Sequence, residues 1–219
     1  MIEAERLARR YGRRWALAGV TFRVEPGEVL IVAGANGSGK STLLRILATA
    51  IRADAGTLRI GGFDVVSHRE DVRRMTALLG HASYLYEQLT ARENLDVFAA
   101  HLGSGRELVT PLLERVGLAS RDRDAVATFS AGMRKRLSFA RLLLQRPHVA
   151  LLDEPYGQLD PEGFALVDEI VRDLRAGGAT VIMATHQLER GRSLGDAVLS
   201  LEAGQVRTRE ALRLGEAAH

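Results

Sequence analysis

The chain has no cysteine, which removes disulfide frameworks, thiolate metal sites and thiol nucleophiles at once. Lysine is nearly missing too: of 30 basic residues only Lys40 and Lys135 are lysine, and the rest are arginine. Aromatic residues make up 5% of the 219, and there are five prolines. The longest uncharged stretch runs only from Ala176 to Leu188 and is interrupted by Gly177-Gly178. A membrane-spanning helix needs about 20 mostly apolar residues, so none is expected. Glu3, Glu5 and a cluster of arginines near the start, with no apolar stretch behind them, give no sign of a secretory signal. The sequence reads as cytoplasmic.

What is present is ordinary for a globular chain: 46% hydrophobic and 26% charged residues. This length suits one domain, or one domain divided into two lobes. The isoelectric point of about 9.7 sounds strongly basic, yet the net charge is only +3. Spread over the whole chain, that balance supports no nucleic-acid partner. The two lysines carry more information than the total.

Glu28 to Ala33 is a short apolar run after Pro26-Gly27 and reads as a buried strand. It enters Gly34-Ala35-Asn36-Gly37-Ser38-Gly39-Lys40-Ser41, after which Leu43, Ile46, Leu47 and Ala50 recur at helical spacing. Upstream, Ile2–Arg10 and Ala16–Val24 are strand-like and suggest an antiparallel flank. From about 81 to 145 the pattern is helical. Thr90 and Glu93 have capping-box order, a helix is expected over Arg106–Val116, and another runs from about Gly132 to Gln145 behind Ser130. Val149–Leu152 and Thr180–Thr185 read as further buried strands, with a helix over Phe164–Arg175 between them. Ala197–Leu201 and Gln205–Arg207 are short candidate strands. The expected organisation is one unit over 1–208, with a core of 1–80 and 146–208, a helical lobe at 81–145, and a tail at 209–219.

Gly34, Gly39, Lys40 and Ser41 form a phosphate-binding loop pattern in strand–loop–helix context. Glycines let backbone N–H groups converge on phosphate oxygens, and the following helix N-terminus favours negative charge. Lys40 is placed to reach the outer phosphates, Ser41 to ligate Mg²⁺, and Asn36, Gly37, Ser38 and Thr42 to complete the cradle. Asp153-Glu154, at the end of an apolar strand well downstream of Lys40, supplies a second element. Alone, such a pair is most simply a solvated strand end. Behind a phosphate loop, Asp153 can hold Mg²⁺ and Glu154 can orient or deprotonate an attacking water. The combination implies a Mg²⁺-dependent nucleoside triphosphatase.

Phe129-Ser130-Ala131-Gly132-Met133, leading into a basic helix, lies between that loop and Asp153. It resembles the signature motif of ATP-binding-cassette (ABC) ATPases, matching at Ser130 and Gly132 and departing at Phe129, Ala131 and Met133. A plain helix cap at Ser130 is the competing reading. His186, directly after the expected strand Thr180–Thr185, stands where that family carries its switch histidine. Leu159 and Asp160 match the family's D-loop. The resemblance spans about Ile2 to Arg207. It implies an α/β fold: a P-loop NTPase core with an antiparallel β flank and an inserted helical lobe. It further implies two ATP molecules sandwiched in a head-to-tail homodimer. In that arrangement Lys40, Ser41, Asp153, Glu154 and His186 act from one subunit. Ser130 and Gly132 face the nucleotide bound by the other, and Lys135 lies near it without a role. Tyr11 matches the adenine-stacking aromatic by position, with Trp15 as its rival. The family's glutamine at the start of the helical lobe is replaced by Ala82, which has no oxygen to ligate anything; either water or a neighbour such as His81 substitutes, or coupling here differs from the family norm.

Family members mostly drive transporters, so separate integral-membrane subunits are the implied partners, with this chain peripheral at the cytoplasmic face of the membrane. The signature, Asp153-Glu154-Pro155-Tyr156 and the segment His186 to Gly191 are similar to the haem-exporter ATP-binding subunit of cytochrome c maturation. Export of another substrate (drug, lipid or ion) and a soluble ABC ATPase acting on an assembly scaffold are the alternatives. Arg134-Lys135-Arg136 is not read as a nucleic-acid patch, because the signature helix is expected to be basic near phosphates. A metabolite kinase would not carry the Ser130/His186 constellation.

Overall fold

The computed structural model describes residues 1–80, 82–103 and 105–212. Two sheets and a set of helices build the molecule. The first sheet is antiparallel, in the order β2-β1-β4-β5, from β1 (Ile2–Tyr11), β2 (Arg14–Val24), β4 (Ala55–Ile60) and β5 (Phe63–Asp64). The second has six strands, in the order β10-β9-β3-β8-β7-β6. It contains β3 (Val29–Ala33), β6 (Thr76–Leu79), β7 (Val149–Asp153), β8 (Thr180–Ala184), β9 (Ala197–Glu202) and β10 (Gln205–Ala211). Pairing is parallel throughout except at β9–β10. The fold is the α/β class expected, with a P-loop core, an antiparallel flank and a helical insertion.

Strands β3, β7 and β8 are buried at every position. That is the pattern of parallel strands covered on both faces. Alternate residues go to opposite sides. Val29 and Ile31 join a core shared with the helical lobe, while Leu30 and Val32 join a core under α1 (Lys40–Leu47) and the antiparallel sheet. The helical insertion contains α3 (Ala91–Leu102), α4 (Val109–Arg115) and α5 (Ala131–Leu144). Thr90 opens α3 with a complete capping box: its side chain accepts from the Glu93 N–H, and the Glu93 carboxylate accepts from the Thr90 N–H. On α5, Leu137, Ala140 and Leu144 are buried and Met133 packs on the same core, as their spacing predicts.

Several elements depart from expectation. The segment between α1 and the helical lobe holds β4, β5, α2 (Arg69–Met75) and β6, none of which the sequence announced. The helix expected at Arg106–Val116 opens as a 3-10 turn over Arg106–Leu108 before α4. The α6 helix (Pro161–Ala176) starts earlier than expected, with Asp160 accepting from the Gly163 N–H as its cap. A short α7 (Leu188–Leu194) follows His186. The tail expected from 209 does not start there: β10 continues to Ala211, and the Leu212 N–H donates to the Asp196 carbonyl. Residues 213–219 lie outside the described residues, as does His81. Among the described residues no helix is long and apolar enough to cross a membrane.

Candidate nucleotide-binding site

Adjacent parallel strands bring their C-terminal ends to one edge of a sheet, where open α/β folds place ligands. Here β3, β8 and β7 are neighbours, with Asp153 in register with Ala184. The phosphate loop after β3, His186 after β8 and Asp153-Glu154 at the end of β7 therefore meet, although they lie far apart in sequence. They open onto a cleft of about 660 Å³. Its walls include Tyr11, Asn36, Gly37, Gly39, Lys40, Ser41, Thr42, Asp153, Glu154 and His186.

The loop backbone needs its glycines. Gly39 has φ 111°, and a Cβ there would lie 2.4 Å from the Ala16 carbonyl oxygen. Gly34 has φ 148°, and a Cβ would meet the Leu201 carbonyl oxygen at 2.3 Å. Both distances are sterically impossible, so side chains are excluded where the loop passes under β2 and β9. Lys40 is almost wholly buried, and its ammonium donates to the Gly34 and Ala35 carbonyls at 2.7 and 3.1 Å. The α1 N-terminus, with N–H groups that no helical partner can satisfy, faces the same space.

The Ser41 hydroxyl donates to Asp153 Oδ1 at 3.0 Å. Glu154 stands in a left-handed backbone conformation, φ 49°, which costs a non-glycine residue about 1–2 kcal/mol. Its N–H donates to the Ala184 carbonyl. Its carboxylate accepts from the His186 N–H at 3.3 Å, and its other oxygen lies 3.3 Å from His186 Nε2. Among the described residues, Ser38 Oγ and Glu154 Oε1 are two of the three buried side-chain polar atoms without a hydrogen-bond partner. An unsatisfied buried carboxylate oxygen on the cleft wall, with another unpaired oxygen in the phosphate loop, fits a site that takes a polar ligand. Hard hydroxyl and carboxylate oxygens side by side, Ser41 against Asp153, are a donor set that fits Mg²⁺.

Tyr11 borders the cleft and is half exposed, with the Arg9 guanidinium 5.1 Å from its ring. Trp15 does not border it. Ser130 and Gly132 are outside the cleft. Ser130 caps α5 by accepting from the Met133 N–H, and Gly132 packs against the Gln158 carbonyl. Ala82 is exposed and takes no part. Lys135, expected near a partner's nucleotide, also reaches into this chain's own cleft, which Arg14, Gly157 and Gln158 line as well. Burial pushes the Lys135 ammonium down from the ordinary lysine range, against the opposing pull of Asp153 and Glu154. Its rarity was the one sequence signal that could have singled it out.

The ABC transporter family matches residues 17–157. The chain belongs to that family. It is 44% identical over 202 residues to the daunorubicin resistance ATP-binding protein DrrA3 of Streptomyces coeruleorubidus, covering 90% of this chain and 64% of that relative. It is 35% identical over 208 residues to the Nod factor export ATP-binding protein I of Paraburkholderia xenovorans, covering 93% and 68%. The chain thus spans somewhat under two thirds of the daunorubicin-resistance relatives' length, 64% and 65%. Among solved structures it resembles an ATP-binding subunit of an ABC transporter, with TM-score 0.90 and 29% identity over 97% of this chain and 90% of that one. The dimeric structure of a bacterial ABC transporter cassette is similar at TM-score 0.87 and 26% identity, covering 97% and 99%. The ABC ATPase fold expected from the motifs is the fold observed.

Proposed function

We propose that the chain binds and hydrolyses MgATP as the ATP-binding subunit of an ABC exporter. It would work as a homodimer of cassettes on separate integral-membrane subunits at the cytoplasmic face of the membrane. The observation that carries this reading is the convergence on one cleft of Lys40, Ser41, Asp153, Glu154 and His186 from the ends of three adjacent strands. In this reading the backbone of Gly37 to Thr42 and the Lys40 ammonium bind the phosphates, and Tyr11 stacks on the base. Ser41 and Asp153 would hold Mg²⁺, whose charge neutralises the phosphate oxygens. Glu154 takes the proton from the attacking water, and His186, beside the Glu154 carboxylate, orients that group and the terminal phosphate. Ser130 and Gly132, exposed or half-buried at the start of α5 and away from their own cleft, suit a second nucleotide across a dimer. The two roles of Ser130 do not compete, because its oxygen accepts from the Met133 N–H in the cap while its O–H is left to donate to a phosphate.

The exported substrate is best read as something other than haem. The relatives are named for daunorubicin resistance, linearmycin resistance and Nod factor export, and none of these names refers to haem. Loss of MgATP turnover in Lys40→Ala, with an unchanged melting temperature, is the expected result. Glu154→Gln should retain nucleotide and slow hydrolysis by about 10²–10⁴. It should also accumulate a dimer with ATP on size exclusion. Wild-type turnover in either variant would refute the assignment.

A further inference from the structure

The first turns of α5 grip the loop that follows Asp153 at several points. Lys135 Nζ donates to the Glu154 carbonyl at 2.9 Å. One residue on, the Arg136 guanidinium donates to Asp160 Oδ1 at 3.2 Å. Gly132 lies so close to this loop that a Cβ would meet the Gln158 carbonyl oxygen at 3.0 Å. Glu154 and Gln158 are the two residues of the segment in a left-handed conformation without being glycine, at φ 49° and 71°, and strain of that kind persists only where surrounding contacts hold it. The Glu154 N–H is fixed from β8 by the Ala184 carbonyl, and the Glu154 carbonyl is held by the Gly157 N–H and by Lys135. Lys135 is the side chain that pins this peptide from outside its own loop.

We propose that Lys135 is a positioning residue for hydrolysis, holding the Glu154 peptide in its left-handed conformation and thereby aiming the Glu154 carboxylate beside His186. The inference rests on the hydrolytic reading of the cleft. It adds a mechanical link: α5 is capped by Ser130, on the surface assigned to a second subunit's nucleotide, and at Lys135 holds the backbone carbonyl of this subunit's own Glu154. Displacement of the α5 N-terminus on dimer closure is therefore transmitted to Glu154 of the same chain. An ammonium suits the task, because it is a compact charge on a flexible stem that can direct one of its three donors at the carbonyl.

The test is steady-state ATP turnover of the full chain across ATP concentration, with nucleotide affinity and melting temperature measured in parallel. Lys135→Met keeps the aliphatic stem and removes the donor. Its kcat should fall at least about tenfold, about 1.4 kcal/mol in barrier, while KM and nucleotide affinity stay within about twofold. Lys135→Arg, which can still donate to the carbonyl, should recover most of the rate. In a Glu154→Gln background Lys135→Met should slow turnover little further, because both changes act on one group. If Lys135→Met does not fold, Lys135→Gln, whose shorter amide cannot reach the carbonyl, is held to the same expectations. Unchanged kcat overturns the proposal, as does a fully multiplicative loss with Glu154→Gln. A rise in KM with kcat intact also overturns it, since the ammonium would then be a phosphate ligand. A wild-type chain that binds no ATP or never hydrolyses it would instead overturn the reading of the cleft itself.

Discussion

Replacing Asp168 by alanine should be among the more damaging single changes available outside the cleft. Asp168 sits on α6 at 8% exposure, accepting from the Tyr156 hydroxyl at 2.7 Å and from the Arg190 guanidinium. Tyr156 is 3% exposed, and burial first, then its bond to Asp168, raises its phenol well above the ordinary range, so it is a donor at any working pH. Truncation leaves that hydroxyl buried without a partner, which costs about 1–3 kcal/mol. It also removes the ion pair with Arg190. That side chain is 39% exposed, so water replaces much of the loss and the pair is assigned only about 1 kcal/mol. The sum is about 2–4 kcal/mol, or a melting temperature lower by about 4–16 °C for a chain of this size. Tyr156→Phe removes the hydroxyl but leaves the Asp168–Arg190 pair, and should cost about half as much. Urea denaturation followed by circular dichroism on both variants separates the two contributions. A loss below about 0.5 kcal/mol for Asp168→Ala would refute the reasoning, by the standard of ordinary surface substitutions. Equal losses in the two variants would show that the Arg190 pair contributes nothing.

Gly39→Ala should abolish nucleotide binding and lower the melting temperature, because its Cβ would have to displace the Ala16 carbonyl from a 2.4 Å approach. Wild-type affinity in a titration with labelled ATP would contradict the steric account of the loop. Acid stability follows from carboxylates held below their ordinary range: Asp64 by the Ser67 and Val66 N–H groups, Glu93 by Thr90, and Asp160 chiefly by the Gly163 N–H. Their folded-state pKa values lie below the unfolded ones, so their stabilisation is complete above about pH 5 and is lost as pH falls below about 4. Melting temperature recorded against pH should be level from 7 to about 5 and then decline; a main loss above pH 6 would point to histidine instead.

The strand–loop–helix unit was legible because buried parallel strands, glycine punctuation and a helical period all agree from Glu28 to Ile51. The stretch from Ala55 to Leu79 was not. Four of the six β4 residues are exposed, β6 is four residues long, and α2 buries only Val72, so no period emerges. No helix was expected after His186, where Gly191 interrupts the run. In the structure Gly191 lies on α7 against β3, where a Cβ would meet Thr185 Cγ2 at 3.2 Å and Ile31 Cγ2 at 3.3 Å, so the glycine allows a close approach of helix and strand. Asp160-Pro161 was a readable helix start. The end of β10 was hidden because Arg207, Arg209 and Glu210 give an exposed edge strand the composition of a tail. Most of the cleft followed from motifs. Lys135 did not, because its partner is a backbone carbonyl 19 residues away and no residue type advertises that.

The two-sided burial of β3, β7 and β8 bears on how such a chain can be taken apart. The hydrophobic cluster on one side runs without a break from Ile31, Leu152 and Met183 through Leu95 and Leu113 to Phe139. The interior of the helical insertion, where α3, α4 and α5 pack on one another, is therefore continuous with the sheet's. Excising 81–145 would open this cluster where α5 packs on β6, although α6 and α7 would still cover β8 and β3, and the excised piece would expose the matching face. Neither fragment is a transplantable module, and chimaeras between such cassettes should be joined with that shared seam intact.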